Sequence, residues 1–193
     1  MKRLFFILLS MTILAPAIAQ NNSHMTFKGI PINGNLSDFT AQMKQKGFTH
    51  LATQDGIAAF TGEFAAYKEC TIAAVSSKST NTVSKVAVIF PECKTWSKLY
   101  GNYSQLKEML TQKYGEPSES IENFESHSEL DDDQDRMFAV EFDQCKYISI
   151  WSTEKGDIEL SIDHNGVTSC FVKLLYWDKI NTEKVTNSAM DDL

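Results

Sequence analysis

Trp96, Leu99, Tyr103, Leu106 and Leu110 step along the chain by 3, 4, 3 and 4 residues. On an α-helix that spacing gathers all five side chains on one stripe. Two of the five are large aromatics, and a soluble chain that left them bare would carry a large apolar patch. The helix therefore needs a second layer to lie on; the competing reading is an exposed aromatic docking ridge. Gly115 and Pro117 stop the helix. Gly101 lies inside it at a cost of about 1 kcal/mol relative to Ala, and is expected to bring the backbone close to the sheet.

The second layer is written in period two. Thr49 to Thr53 and Ile57 to Phe64 flank Asp55-Gly56, a hairpin-turn signal. Thr71 to Ser76 and Val83 to Phe90 form a further hairpin around Ser77–Asn81. Ile158, Leu160 and Ile162 alternate with Glu159, Ser161 and Asp163, as in a half-buried antiparallel strand. Asn165-Gly166 reads as a two-residue type I′ turn into Cys170–Trp177. Phe138, Val140 and Phe142 also alternate, and are expected on one face of a strand. Upstream, Phe27, Ile30 and Ile32 make a short first strand. Asn35 caps a first helix that carries Leu36, Phe39 and Met43 on one face and ends at Gly47. About ten strands and two helices result, an α+β fold built on antiparallel sheet.

Two segments share an order of features. Gln45-Lys46-Gly47-Phe48 closes one helix and opens strands, and Gln112-Lys113-Tyr114-Gly115 does the same. "FAAYKECTIAAV" lines up with "AVEFDQCKYISI". The expectation is two tandem helix-plus-antiparallel-hairpin repeats, residues 26–93 and 94–180, with the helices packed on one face of the sheet. Residues 20–25 are expected to be loose, and 181–193 to form a polar C-terminal tail that frays or makes a short helix.

The N-terminus carries an export signal. Met1-Lys2-Arg3 is positive, and Leu4 to Leu14 is apolar except for Ser10 and Thr12. Ala17-Ile18-Ala19 places small residues at −3 and −1 of a signal-peptidase site. Residues 1–19 are therefore expected to be a signal peptide cleaved after Ala19, placing the protein in the periplasm or outside the cell. The apolar run is roughly 11 residues, against about 20 needed to span a bilayer. No Cys follows the cleavage site, so no stable membrane anchor is expected.

An exported chain with four cysteines, Cys70, Cys93, Cys145 and Cys170, is read as disulfide-bonded. The expected pairs are Cys70–Cys93 and Cys145–Cys170, one per repeat, because each pair brackets a hairpin. Each bond would contribute about 2–4 kcal/mol. Zinc is disfavoured, since there is no C-x-x-C pair and no His beside any Cys.

Cleavage leaves sixteen basic residues against 25 acidic ones, a formal charge of −9, with Arg136 the only arginine. That balance excludes a basic stripe for nucleic acid and docking on anionic lipid. Nucleotide-binding glycine motifs are not found, and no cofactor is implied. Asp131, Asp133 and Asp135 have the alternate spacing of a calcium loop. Arg136 stands where that loop needs Gly, and Phe142 where it needs Glu, so a solvated hairpin tip is expected there. His24, His50, His127 and His164 show no metal spacing. Asp163-His164 is the one neighbouring pair able to orient an imidazole, and no catalytic residue is assigned.

The stretches "MTFKGIPINGNLSDFTAQMKQKGF", "VIFPECKTWSKLYGNYSQLKEMLTQKYGEPSE" and "IELSIDHNG", with the terminal "MDDL", resemble a set of small exported proteins from Gram-negative gut anaerobes. That resemblance covers nearly the whole mature chain and brings no functional residues with it. In layout, helix followed by hairpins in tandem, the chain is similar to the β-lactamase-inhibitory-protein-like fold and to small outer-membrane-assembly lipoproteins, from which it departs by lacking the lipidated Cys. Fold alone does not imply activity. The function expected is an exported, non-enzymatic binding module with an unknown envelope or extracellular protein partner. An envelope hydrolase and a calcium-stabilised accessory protein are the alternatives.

Overall fold

A computed structural model describes residues 23–78, 80–125, 130, 132–166 and 169–191. The signal segment, its cleavage site, His127 and Asp131 lie outside the described residues. The chain is α+β. Strands β1 (Thr26–Phe27) and β2 (Ile30–Pro31) form a small hairpin sheet and precede helix α1 (Leu36–Gln45). Strands β3 (Thr49–Gln54), β4 (Ile57–Phe64), β5 (Tyr67–Ser76) and β6 (Val83–Ile89) follow, then α2 (Trp96–Tyr114). Next come β7 (Glu119–Phe124), α3 (Asp133–Glu141), β8 (Cys145–Thr153), β9 (Gly156–Asn165), β10 (Ser169–Trp177) and α4 (Lys179–Met190).

Eight strands form one antiparallel sheet in the order β3-β4-β5-β6-β10-β9-β8-β7. Each run of four consecutive strands is a meander, and the runs meet where β6 pairs with β10. Asp55 and Gly56 both have positive φ, at 50° and 81°, as a type I′ hairpin turn requires. The β9–β10 connection differs from expectation. Asn165 pairs with Ser169, so the link is residues 166–168 and not a two-residue turn.

Antiparallel pairing places directly opposite residues on the same side of the sheet. One side carries Phe60 and Ile72, Val86 and Tyr176, Leu174 and Leu160, and Trp151 opposite Ile158. All are buried and belong to the core. Helix α2 lies against β9 and β10, and its whole stripe, Trp96, Leu99, Tyr103, Leu106 and Leu110, is buried. The rings of Trp96 and Tyr103 meet Tyr147 of β8 edge-on. The stripe is therefore core and not a docking ridge. Gly101 does not meet the sheet: no atom outside its own helix lies within 4 Å of where its Cβ would stand.

Helix α3 is the main departure. The segment read as a strand folds as a helix capped by Asp132, whose carboxylate accepts from the N–H of Gln134 and Asp135. Phe138 and Phe142 stand one turn apart, stacked at 4.2 Å and exposed, while Val140 turns inward. A nine-residue helix is too short for its period to be told from alternation. The stretch aligned with β5 thus begins as the end of α3 and enters β8 only at Cys145.

The two ends of the chain are pinned together. Asp178 is buried and caps α4, accepting from the Asn181 N–H at 2.8 Å. It also accepts from the Met25 N–H at 2.7 Å and meets His24 Nδ1 at 3.0 Å. Asn181 Nδ2 donates to the carbonyls of Ile32 and Val83. So the segment expected to be loose is held at His24 and Met25, and the tail begins as an ordered helix.

Candidate interaction surface

The other side of the sheet is built from the alternate residues. One row across the strands runs Ala52, Ala59, Ala73, Ala87, Leu175, Glu159, Ile150 and Glu119. The next row runs Thr49, Thr61, Thr71, Ile89, Lys173, Ser161, Ile148 and Ile121. Strands β3–β6 present Ala and Thr with Ile57 and Ile89, β7 and β8 present Ile121, Ile148 and Ile150, and β9 and β10 between them carry Glu159, Ser161, Leu175 and Lys173. Ala59, Ala73, Ala87, Ile89, Ile148 and Ile150 are half-buried, and Ile57 and Ile121 are 43% and 40% exposed. Lys85 lies over the ring of Trp177, its cross-strand partner, at 4.3 Å.

Two clefts flank this face. One, of about 750 Å³, is lined by Ile89, Phe171, Lys173, Asp163, Glu92 and Ser169. Lys173 pairs with Asp163 there, and the Ser169 hydroxyl donates to Glu92 at 2.6 Å. The other, of about 660 Å³, lies where α4 begins, between Ile150, Glu159, Trp177 and Lys179. The Ser161 hydroxyl is buried in the row beside Lys173 and has no hydrogen-bond partner among the described residues. A buried hydroxyl without a partner costs about 1–3 kcal/mol.

The residues singled out for chemistry are engaged in structural roles. Asp133 does not belong to a solvated tip. Its carboxylate accepts from the backbone N–H of Trp96 and Ser97 at 2.8 and 2.7 Å, and from the Ser97 hydroxyl at 2.6 Å. It thereby caps α2 from 36 residues away and sits at that helix's positive end. The Ser97 hydrogen bonds hold its carboxyl below the usual carboxylate range. Asp132 caps α3, and among the described residues no group of three or more His, Cys, Asp or Glu is placed to hold a metal ion.

His164 does not use Asp163, which instead accepts from the His164 backbone N–H. Its ring nitrogens meet the Gly166 carbonyl at 2.8 Å and Asp143 at 3.0 Å. The Gly166 bond, then Asp143, raise its pKa above the ordinary histidine value. His50 meets the Thr53 hydroxyl at 2.8 Å.

All four cysteines are free thiols, and the expected bonds Cys70–Cys93 and Cys145–Cys170 are not formed. Cys70 lies inside β5 and not before it, opposite Gly62 of β4. Cys93 lies past the end of β6, where its N–H donates to the Cys170 carbonyl of β10 at 2.8 Å. Cys145 is in β8 and Cys170 in β10, with β9 between them. Burial pushes the thiols up, Cys145 to about 12 and Cys170 to about 11.

No described helix is long and apolar enough to cross a membrane. Comparison with protein-family models, with characterised proteins and with solved structures gives no match.

Proposed function

We propose that this is an exported, non-enzymatic module that binds an envelope or extracellular protein through the open side of its large sheet. The observation that carries the reading is that side itself: Ala and Thr on β3–β6 and isoleucines on β7 and β8, parted by Glu159, Ser161 and Lys173, with two clefts beside them. Ile121, Ile148 and Ile150 group half-exposed apolar side chains that a partner would cover. Export rests on residues 1–19. The partner is taken to be protein because the acidic chain disfavours nucleic acid and anionic lipid.

We further infer two tandem units, each a helix followed by four strands, with their helices on the side opposite the binding face. The strand order supports this, since β3–β6 and β7–β10 meet through their last strands, and α1 and α2 precede the two runs. Helix α3 is then an insertion between β7 and β8. The similarity to the β-lactamase-inhibitory-protein-like layout rests on this arrangement.

The test is capture from envelope extract by immobilised protein, alongside the double variant Ile121→Ser, Ile148→Ser. The reading expects a discrete partner that the variant loses while keeping its native circular dichroism. Equal capture by both would move the function elsewhere on the molecule.

A further inference from the structure

We propose that Cys93 and Cys170 form a disulfide under oxidising conditions, a covalent clasp across the seam where the two runs of strands meet. The two residues stand directly opposite each other in an isolated antiparallel bridge. Hydrogen-bonded residues facing each other in this way have Cα atoms about 5.5 Å apart and side chains on the same side. A disulfide needs a Cα separation of about 4.4–6.8 Å. The Cα separation typical of such a bridge lies in that range, and closing the bond takes rotation of both side chains with a small approach of the two Cβ atoms to about 3.5–4.5 Å. Both side chains are buried, at 4% and 1% exposure.

The other pairings lack this placement. Cys145 is two strands from Cys170, and at about 4.8 Å per strand step that is near 10 Å, past the limit of about 7 Å. The Cys70 thiol donates toward the Tyr67 carbonyl at 3.5 Å, within its own β4–β5 corner. The Cys93 thiol donates toward the Pro91 carbonyl at 3.7 Å, and its sulfur accepts from Asn102 Nδ2 of α2 at 3.3 Å.

Cys93 also has a way in. A cleft of about 710 Å³ between α3 and the start of α2 is lined by Cys93, Lys94, Thr95, Asp133, Met137 and Glu141. The oxidant is a disulfide, either a small molecule or a thiol–disulfide exchange protein. The Cys93 thiolate attacks one of its sulfurs and releases one thiol. The Cys170 thiolate then attacks Cys93 Sγ in the mixed disulfide and releases the second. Two protein thiols lose two electrons and two protons in all, and the oxidant's disulfide leaves as two thiols. Burial raises both protein thiols above the ordinary range, so closure accelerates as pH rises.

The experiment is to reduce the purified protein and expose it to glutathione disulfide at pH 8. It is then alkylated in denaturant and digested without reductant. The expected product joins the Cys93 peptide to the Cys170 peptide, with Cys70 and Cys145 alkylated, and its parent melts higher than the reduced protein. A Cys70–Cys93 or Cys145–Cys170 peptide, glutathione adducts alone, or four alkylated thiols would each overturn the proposal.

Discussion

The two sides of the eight-stranded sheet share one period and differ in what covers them. On the core side Phe60, Ile72, Val86, Val88, Ile158 and Leu160 are fully buried. On the other side Ala59, Ala73, Ala87 and Ile150 are half-buried, while Leu175, Phe171 and Ser161 of the central strands are buried there as well. Strand alternation creates two faces on every strand, and helices decide which becomes core. Side-chain size differs accordingly, large and branched on the core side and mostly Ala and Thr along the β3–β6 half of the other. The half-exposed isoleucines of the β7–β8 edge, Ile121, Ile148 and Ile150, lie outside that packing, which is why they point outward to function.

Substitutions break this comparison most sharply at its centre. Leu160→Ala on the core side should cost about 2–5 kcal/mol in urea unfolding, because a fully buried side chain leaves a cavity. A typical domain holds about 5–15 kcal/mol in total, so this variant should be marginal. Asp178→Ala comes next, at about 2–4 kcal/mol, since it strands the Met25 and Asn181 N–H groups and uncaps α4. On the open side, Ile148→Ser should cost less than about 1 kcal/mol, as its side chain is only half-buried. A loss there equal to that of Leu160→Ala would mean both sides are core.

How much of this was legible followed the range of each signal. Helices α1 and α2 are marked by nearby residues: the cap at Asn35, the two stripes, and Gly47 and Gly115 at their ends. The Asp55-Gly56 turn is equally local. Helix α3 was hidden because Phe138, Val140 and Phe142 fit both periods. The cap that Asp133 places on α2, and the pairing of β6 with β10, join residues far apart in sequence, and no local pattern carries them. The cysteine pairs failed for the same reason, since the expected bonds assumed that Cys70 and Cys93 close one hairpin. Likewise, the polarity of the tail concealed the buried Asn181, and nothing local marked Asp178 just before it as buried. The open side was legible as alternation but not as a surface, because whether a second layer covers it depends on the assembled fold.

The smallest expected effect concerns pH at the end of the β9–β10 hairpin. The folded pKa of His164 is raised by Gly166 and Asp143. Its stabilisation is thus fully present below the unfolded value of about 6.5 and is lost as pH rises through the folded value. Asp143 is 90% exposed, so the loss should stay under about 1 kcal/mol. Asp143→Asn should reduce it in melting curves taken between pH 6 and 8, leaving the part due to the Gly166 carbonyl.

The central claim, that the open side is the binding surface, is tested most directly by placing a photo-crosslinking residue at Ile148 on that side and, separately, at exposed Phe138 on α3. Each variant is illuminated in envelope extract. The account predicts one discrete adduct from position 148 and none from position 138. Adducts from 138 alone would contradict it, and would make the stacked Phe138–Phe142 pair the docking site instead.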